Sequence, residues 1–487
     1  MDVTLQKQNK IAGANILCFI QMFSTMGFAV LYSSLVLYAT KKLGFSEYSA
    51  NAIMGIFGAF NYGLHLFGGY LGGRFLSNRN LFVIGMVLQV IGCYLLSSAQ
   101  IDGLYWGLAL FLTGSGLNVT CINMMLTQRF TPNDPRRESA FLWNYAGMNL
   151  GFFMGFTAAG YFQLSLDYHA LFLFATLGNL IAIVLTGIFW RHLADLNTPL
   201  SHTSRPVMRQ RLVIGCVILL LLLPVVKVML THSEVSSYFV LGLGTLVLIA
   251  LCIITGRHKV AAERSRMIAY LILTLGSLVF WSLYQLAPMG LMLFAENNLN
   301  LQLFGWHIAP QWIQDINTLV IVLGGPLLAL LFKRLRARGI TIDIPSQFAA
   351  SLLFMGGGML VLPIGIGLAG SNGLVDFQWI FWSYLLQSIG ELLISPIGYA
   401  MIGRLAPQQY QGLLMGTWMM ISGIASILAG YLSQAMPTAQ GSTPLLTNPG
   451  YSHLFILLSI ASGLTAVVLM LLIPLLRRLI GPVQASE

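Results

Sequence analysis

Apolar runs of about 20 residues, the length an α-helix needs to cross a bilayer core of roughly 30 Å, recur from one end of the chain to the other, separated by short polar stretches. The pattern predicts spans at 12–38, 50–72, 81–99, 104–127, 139–163, 170–190, 211–231, 237–255, 267–292, 311–332, 346–369, 377–402, 409–435 and 452–476. That makes fourteen, and an even number puts both ends of the chain on one side. The stretch DFQWIFWSYLLQSIGELLISPIGYAMIGRL (376–405) departs from the rest because a carboxylate, Glu391, sits in its middle. On a helix Tyr384, Gln387, Glu391 and Ser395 share one side, at spacings of three or four. A polar stripe holding an acid is poorly suited to lipid, and such residues mark substrate or ion pathways. The plainer alternative is a Glu satisfied by a structural hydrogen bond. Pro396 is expected to open the helix locally, which is tolerable beside a cavity or other protein.

Composition agrees with an all-α polytopic membrane protein. Charged residues make up 8% of the chain and the mean hydropathy is +0.79, whereas soluble domains carry about 25% charged residues. Under the span assignment 22 of the 25 Lys and Arg residues fall on one face, and Lys41, Lys42 and Lys227 fall on the other. The positive-inside rule then places both termini in the cytoplasm, with a short cytosolic tail ahead of the first span and no signal-peptide cleavage site. The net charge of +10 belongs to loops beside anionic membrane lipids, so nucleic-acid binding is not called for. Cys18, Cys93, Cys121, Cys216 and Cys252 are scattered within spans without paired spacing and read as small apolar residues. No zinc-protease, phosphate-loop or nucleophile-elbow motif occurs. Neither an enzyme, a metal nor a cofactor is expected.

The layout divides into six spans (1–192), a two-span insert with cytosolic linkers (193–265) and six more spans (266–487). The insert helices, rich in Leu and Val, are expected to lie at the periphery facing lipid. Six plus six with polar residues near mid-membrane is the major-facilitator plan, in which two halves rock about a central site.

Several stretches resemble one branch of that superfamily, the proton-dependent oligopeptide transporters. GELLISPIGYAMIGRLAPQQYQGLLMGTWMM (390–420) is similar to the family's tenth and eleventh core regions, and FLWNYAGMNLGFFMG (141–155) to its fifth-helix signature. LVFWSLYQLAPMGLMLFAENNL (278–299) and WIQDINTLVIVLGGPLLA (312–329) resemble its seventh and eighth core helices. The two-helix insert matches the family's bacterial form.

The resemblance implies a secondary transporter of di- and tripeptides or similar amine-bearing solutes, in a bacterial inner membrane and acting as a monomer. It implies that Glu391 receives the peptide's amino terminus with Asn149 and Asn317. Tyr145 would be a pocket tyrosine, Trp281 an aromatic wall, and Trp418 a large side chain shaping the side-chain pocket. Chemistry concurs for the amine: an ammonium calls for a carboxylate and amide oxygens in a dry cavity. For Trp281 and Trp418 taken singly, ordinary packing is the plainer reading.

The departures are as informative. Most members carry Glu-x-x-Glu-Arg on the first helix, where this chain has Gln21, Ser24 and Thr25, followed by Phe28. Val119 replaces the fourth-helix Lys, Gln285 a seventh-helix Glu, and Gly73 the usual loop Asp. The cations that would hold a peptide carboxylate are therefore gone, together with the acids that couple transport to protons. Losing both signs together strands no buried ion. Proton coupling, altered or absent, would be left to Glu391 and to His65, an intramembrane imidazole of a type that titrates near neutrality. Gln21, Gln285, Gln387 and Ser395 remain as neutral substrate contacts. Two other functions stay open: a facilitator or exporter of another amine-bearing molecule, and a transporter-like receptor that binds without translocating.

Overall fold

The computed structural model describes residues 3–131, 134, 136–196, 198–339, 342–438 and 442–481, with the side chains of 3–12 and 138 excepted. The chain ends assigned to the cytoplasm, residues 1–2 and 482–487, lie outside the described residues. The described chain is helical almost throughout: α1 (Val3–Leu37, continued by a π-helical turn Tyr38–Lys42), α2 (Glu47–Leu71), α3 (Asn78–Ser97), α4 (Ile101–Thr127), α5 (Arg136–Leu164), α6 (Tyr168–Ile188), α7 (Arg205–Thr231), α8 (Ser233–Arg257), α9 (Ala261–Tyr284), α10 (Gly290–Asn298), α11 (Trp312–Ala337), α12 (Ile344–Gly367), α13 (Phe377–Leu405), α14 (Gln411–Gln434) and α15 (Pro444–Ile480).

Fourteen of these have 20 residues or more, and 20 residues already reach about 30 Å. Twelve described segments are both long and apolar enough to cross a membrane. The other two long helices are α2 and α5, where Asn51, Asn61 and His65 on one, and Arg136, Arg137, Asn144 and Asn149 on the other, dilute the hydropathy. Side-chain caps open several helices by accepting from an N–H that has no partner within the helix. Ser46 accepts from Ser49 N (3.2 Å), Ser77 from Asn80 N (3.2 Å), Asp167 from Ala170 N (2.9 Å) and Asp343 from Ser346 N (3.0 Å).

The chain divides into two units, Met1–Ser236 and Ser237–Glu487. In the first, α1 packs on α5 and α6, α3 on α4 and α6, and α2 on α4. In the second, α9 packs on α14 and α15, α12 on α13 and α15, and α11 on α13. Taken in chain order, the pairings within the two units are the same, so an internal repeat invisible in the residue letters is explicit in the packing. Of the two helices expected to form an insert, α7 packs on α4 and α2 of the first unit. Gly244 of α8 lies against Ile424 of α14 in the second. Both helices leave large apolar side chains exposed, among them Leu220, Leu221, Tyr238 and Leu246.

The run expected to cross at 267–292 is not one helix. α9 stops at Tyr284, residues 285–289 turn, and α10 starts at Gly290. Pro288 explains the stop, since it has no N–H to donate and its ring clashes with the preceding turn. Pro396 behaves differently, because α13 runs through it to Leu405. At the loop where Gly73 stands, a carboxylate arrives from elsewhere: Asp195 accepts from Asn78 N (2.8 Å) and Asn78 Nδ2 (3.3 Å). Burial raises that carboxyl's pKa above its ordinary value, against the opposing pull of Asn78, Arg79 and Arg129.

Candidate functional site

Glu391 stands at the midpoint of the 29-residue α13. The glycine before it lets α13 approach its neighbours: a Cβ at Gly390 would lie 2.8 Å from the Ser351 carbonyl oxygen and 3.1 Å from the Phe280 ring. Across from it on α11, Asn317 Nδ2 donates to Glu391 Oε2 (2.7 Å) and to Ser388 Oγ (3.0 Å). The Ser388 hydroxyl donates in turn to the Tyr384 carbonyl (2.6 Å). From the end of α9, the Tyr284 hydroxyl donates to the Glu391 carboxylate. Glu391 and Asn317 are both half-buried.

The hydrogen-bond capacity left over has one sign. An amide has two N–H donors, and both of Asn317's are engaged. What Asn317 can still offer is its carbonyl oxygen. A carboxylate has about four lone-pair positions, and Glu391 uses some of them on Asn317 and Tyr284. The cluster Glu391–Asn317–Ser388–Tyr284 therefore presents acceptors, with a negative charge behind them. That is a socket for a cationic donor.

The other expected residues are distributed around this centre. Trp281 is nearly buried and meets the Tyr284 ring edge-on at 5.5 Å, so it backs a ring that touches Glu391. Gln387, expected on the Glu391 side, turns toward α12: its Nε2 donates to Ser383 Oγ (2.9 Å), whose hydroxyl donates to the Gly358 carbonyl (2.7 Å). Ser395 is half-buried one turn beyond Glu391. Gln285 is fully buried at the end of α9. Trp418 is packed between helices, with its indole against Gly398 of α13 and its ring 6.2 Å from that of Phe348. Ser388 and Tyr284 were not expected. A serine three positions before a mid-span Glu is the signal that points to the first, and nothing in the spacing points to the second.

In the first unit, Asn149 Nδ2 donates to the Tyr145 carbonyl (2.9 Å), with Asn149 buried and the Tyr145 side chain 44% exposed. The three positions that replace the family's first-helix charges are buried and bonded among themselves. Gln21 Nε2 donates to Thr25 Oγ1 (2.8 Å) and Ser24 Oγ to the Gln21 carbonyl (3.0 Å). The His65 ring lies beside Tyr62, and its buried Nε2 has no hydrogen-bond partner among the described residues.

A model of the POT family matches residues 79–448, most of the chain. The chain belongs to the POT family. It is 30% identical to dipeptide and tripeptide permease A of Salmonella typhimurium over 474 residues, covering 96% of this chain and 93% of that one. The corresponding permease of Chromobacterium violaceum is 32% identical over 469 residues, with 94% and 92% covered. Among solved structures, a peptide transporter POT in complex with sulfate superposes with a TM-score of 0.84 at 26% identity, covering 96% of this chain and 95% of that one. A POT family transporter in complex with 5-aminolevulinic acid shares the fold, with a TM-score of 0.82 at 23% identity and 96% of each chain covered. This member of a transporter family is thus a multi-pass bacterial inner-membrane protein of the major-facilitator fold, acting on a small-molecule substrate.

Proposed function

We propose that the protein is a secondary transporter of di- and tripeptides or peptide-like amines, working by alternating access, with Glu391 and Asn317 receiving the ligand's ammonium. The observation that carries this reading is the acceptor-only cluster at the middle of α13. An ammonium brings three N–H donors and no acceptor, and hydrogen bonds from it to a carboxylate are the strong, charge-assisted kind. The permease relatives support peptides as the class. Tyr145 and Asn149 are the first unit's candidates for contact with a peptide. The protein is proposed to act as a monomer.

The bonded set Gln21, Ser24 and Thr25 favours a second reading of the energetics. With those neutral side chains engaged on one another, proton coupling rests with Glu391 and His65 or does not occur. Proteoliposomes holding the purified protein are expected to take up a labelled dipeptide above protein-free controls. An imposed pH gradient is expected to drive that uptake only in protein that retains Glu391 and His65. Absence of uptake under every gradient would leave a binding protein without translocation and sink the transporter reading.

Both termini are proposed to be cytoplasmic, from the placement of Lys and Arg. A C-terminal fluorescent reporter that folds only in the cytosol is expected to be bright, and a phosphatase fusion active only outside is expected to be silent. The reverse pattern would invert the topology.

A further inference from the structure

We propose that this site selects monocations, ligands with a free ammonium at one end and an uncharged group such as a carboxamide at the other, over zwitterionic peptide acids. The inference rests on the ammonium site proposed above and deepens it. Its first support is the position of the charges. Among the described side chains, each Lys and Arg lies in a loop or within about two turns of a helix end. The deepest are Arg211 on α7, Arg266 on α9, Lys227 on α7 and Lys333 on α11. Glu391, by contrast, is at mid-helix. A ligand drawn to Glu391 meets a negative centre, and no described Lys or Arg side chain stands near the middle of its helix.

The second support is the state of the neutral donors. A carboxylate without a cation needs several hydrogen-bond donors to offset its desolvation. The hydroxyls beside Glu391 point elsewhere: Tyr284 donates to Glu391 itself and Ser388 to the Tyr384 carbonyl. Both N–H groups of Asn317 are engaged, and Gln387 Nε2 is turned to Ser383. A second carboxylate near Glu391 would therefore add like-charge repulsion, and the indole N–H of Trp281 beside Tyr284, which has no partner among the described residues, is buried. A carboxamide carries no charge, brings its own N–H donors, and fits a set of acceptors.

The experiment is calorimetric titration of the purified full-length protein with matched dipeptides: Ala-Ala, Leu-Ala and Phe-Ala as free acids, as C-terminal amides, and as N-acetylated amides. Amides are expected to bind at least about tenfold more tightly than acids, a difference of about 1.4 kcal/mol, and the N-acetylated amides are expected not to bind. A smaller preference, or preference for the acid, overturns this inference while the ammonium reading stands, provided acetylation still abolishes binding. Acetylated and free-amine ligands binding alike, or no member of the set binding at all, overturns both. A second arm uses Glu391→Gln, where any residual binding is expected to lose its amide preference because no carboxylate remains to repel the acid. Retention of the full preference there would assign the discrimination to another group and overturn the inference.

Discussion

Exchange of Glu391 for Gln is expected to weaken amine-bearing peptides by about 2–5 kcal/mol, the usual cost of removing one partner of a desolvated charge pair. In affinity that is roughly thirty-fold to several-thousand-fold. The substitution keeps the size of the side chain and leaves one oxygen to accept from Asn317 Nδ2, now 2.7 Å from the carboxylate. The second oxygen becomes an amide N–H₂, so the socket loses its charge and offers a donor where the ammonium needs an acceptor. Binding titrations on the folded variant check this, with the melting temperature as the control for structure. N-acetylated ligands give the decisive comparison. They are expected not to bind the wild type, and the substitution is expected not to change that. If the variant binds free-amine peptides as tightly as the wild type does, Glu391 is a structural carboxylate held by Asn317 and Tyr284, and the ammonium site lies elsewhere.

The legible and illegible parts of this molecule separate along physical lines. Glu391 is legible because a carboxylate in an apolar run calls for a partner or a cavity, whereas Asn317, which donates to it, is reached only through the family resemblance. Ser388 is only weakly signalled, because short hydroxyls in helices commonly bond to their own backbone, as Ser33, Ser34 and Thr186 do here. Tyr284 is hidden for another reason: a tyrosine hydroxyl reaches well beyond its own helix, as Tyr38 does to the Leu96 carbonyl and Tyr270 to the Leu414 carbonyl, so its partner cannot be read from local spacing. Gln387 shows the limit of spacing arguments. Residues four apart on a helix differ by about 40° in direction, enough for Gln387 to bond toward α12 while Glu391 bonds toward α11. The repeated pairing of helices in the two units was not visible for a related reason. It lies in which helices touch, a long-range property that the residue letters do not spell out. The break between α9 and α10 was readable in principle from Pro288, but an apolar run on both sides of it masks the turn.

Gly151→Val is expected to separate α1 from α5 and to destabilise the first unit by about 1–3 kcal/mol or more, the range for overfilling a packed contact. The sequence places Gly147, Gly151 and Gly155 four apart on α5, the small-residue spacing that lets helix backbones approach within a membrane. The structure shows each of them against α1. A Cβ at Gly147 would lie 2.5 Å from the Cys18 carbonyl oxygen, one at Gly151 2.3 Å from the Met22 carbonyl oxygen, and one at Gly155 2.5 Å from Ala29 Cβ. At Gly151 the obstacle is backbone, so no rotamer change relieves it, and even Ala must push the helices apart. Intrinsic helix preference pulls the other way, because Gly→Ala in a helix interior favours the helix by about 0.5–1 kcal/mol. Gly187 on α6 supplies the comparison, since a Cβ there would meet nothing within 4 Å. Gly187→Ala is therefore expected to leave the melting temperature unchanged or raise it. Gly151→Ala is expected to lower it, and Gly151→Val to lower it further or to prevent recovery of a monodisperse protein. If Gly151→Ala melts no lower than Gly187→Ala, the close crossing of α1 and α5 is not what holds this unit together.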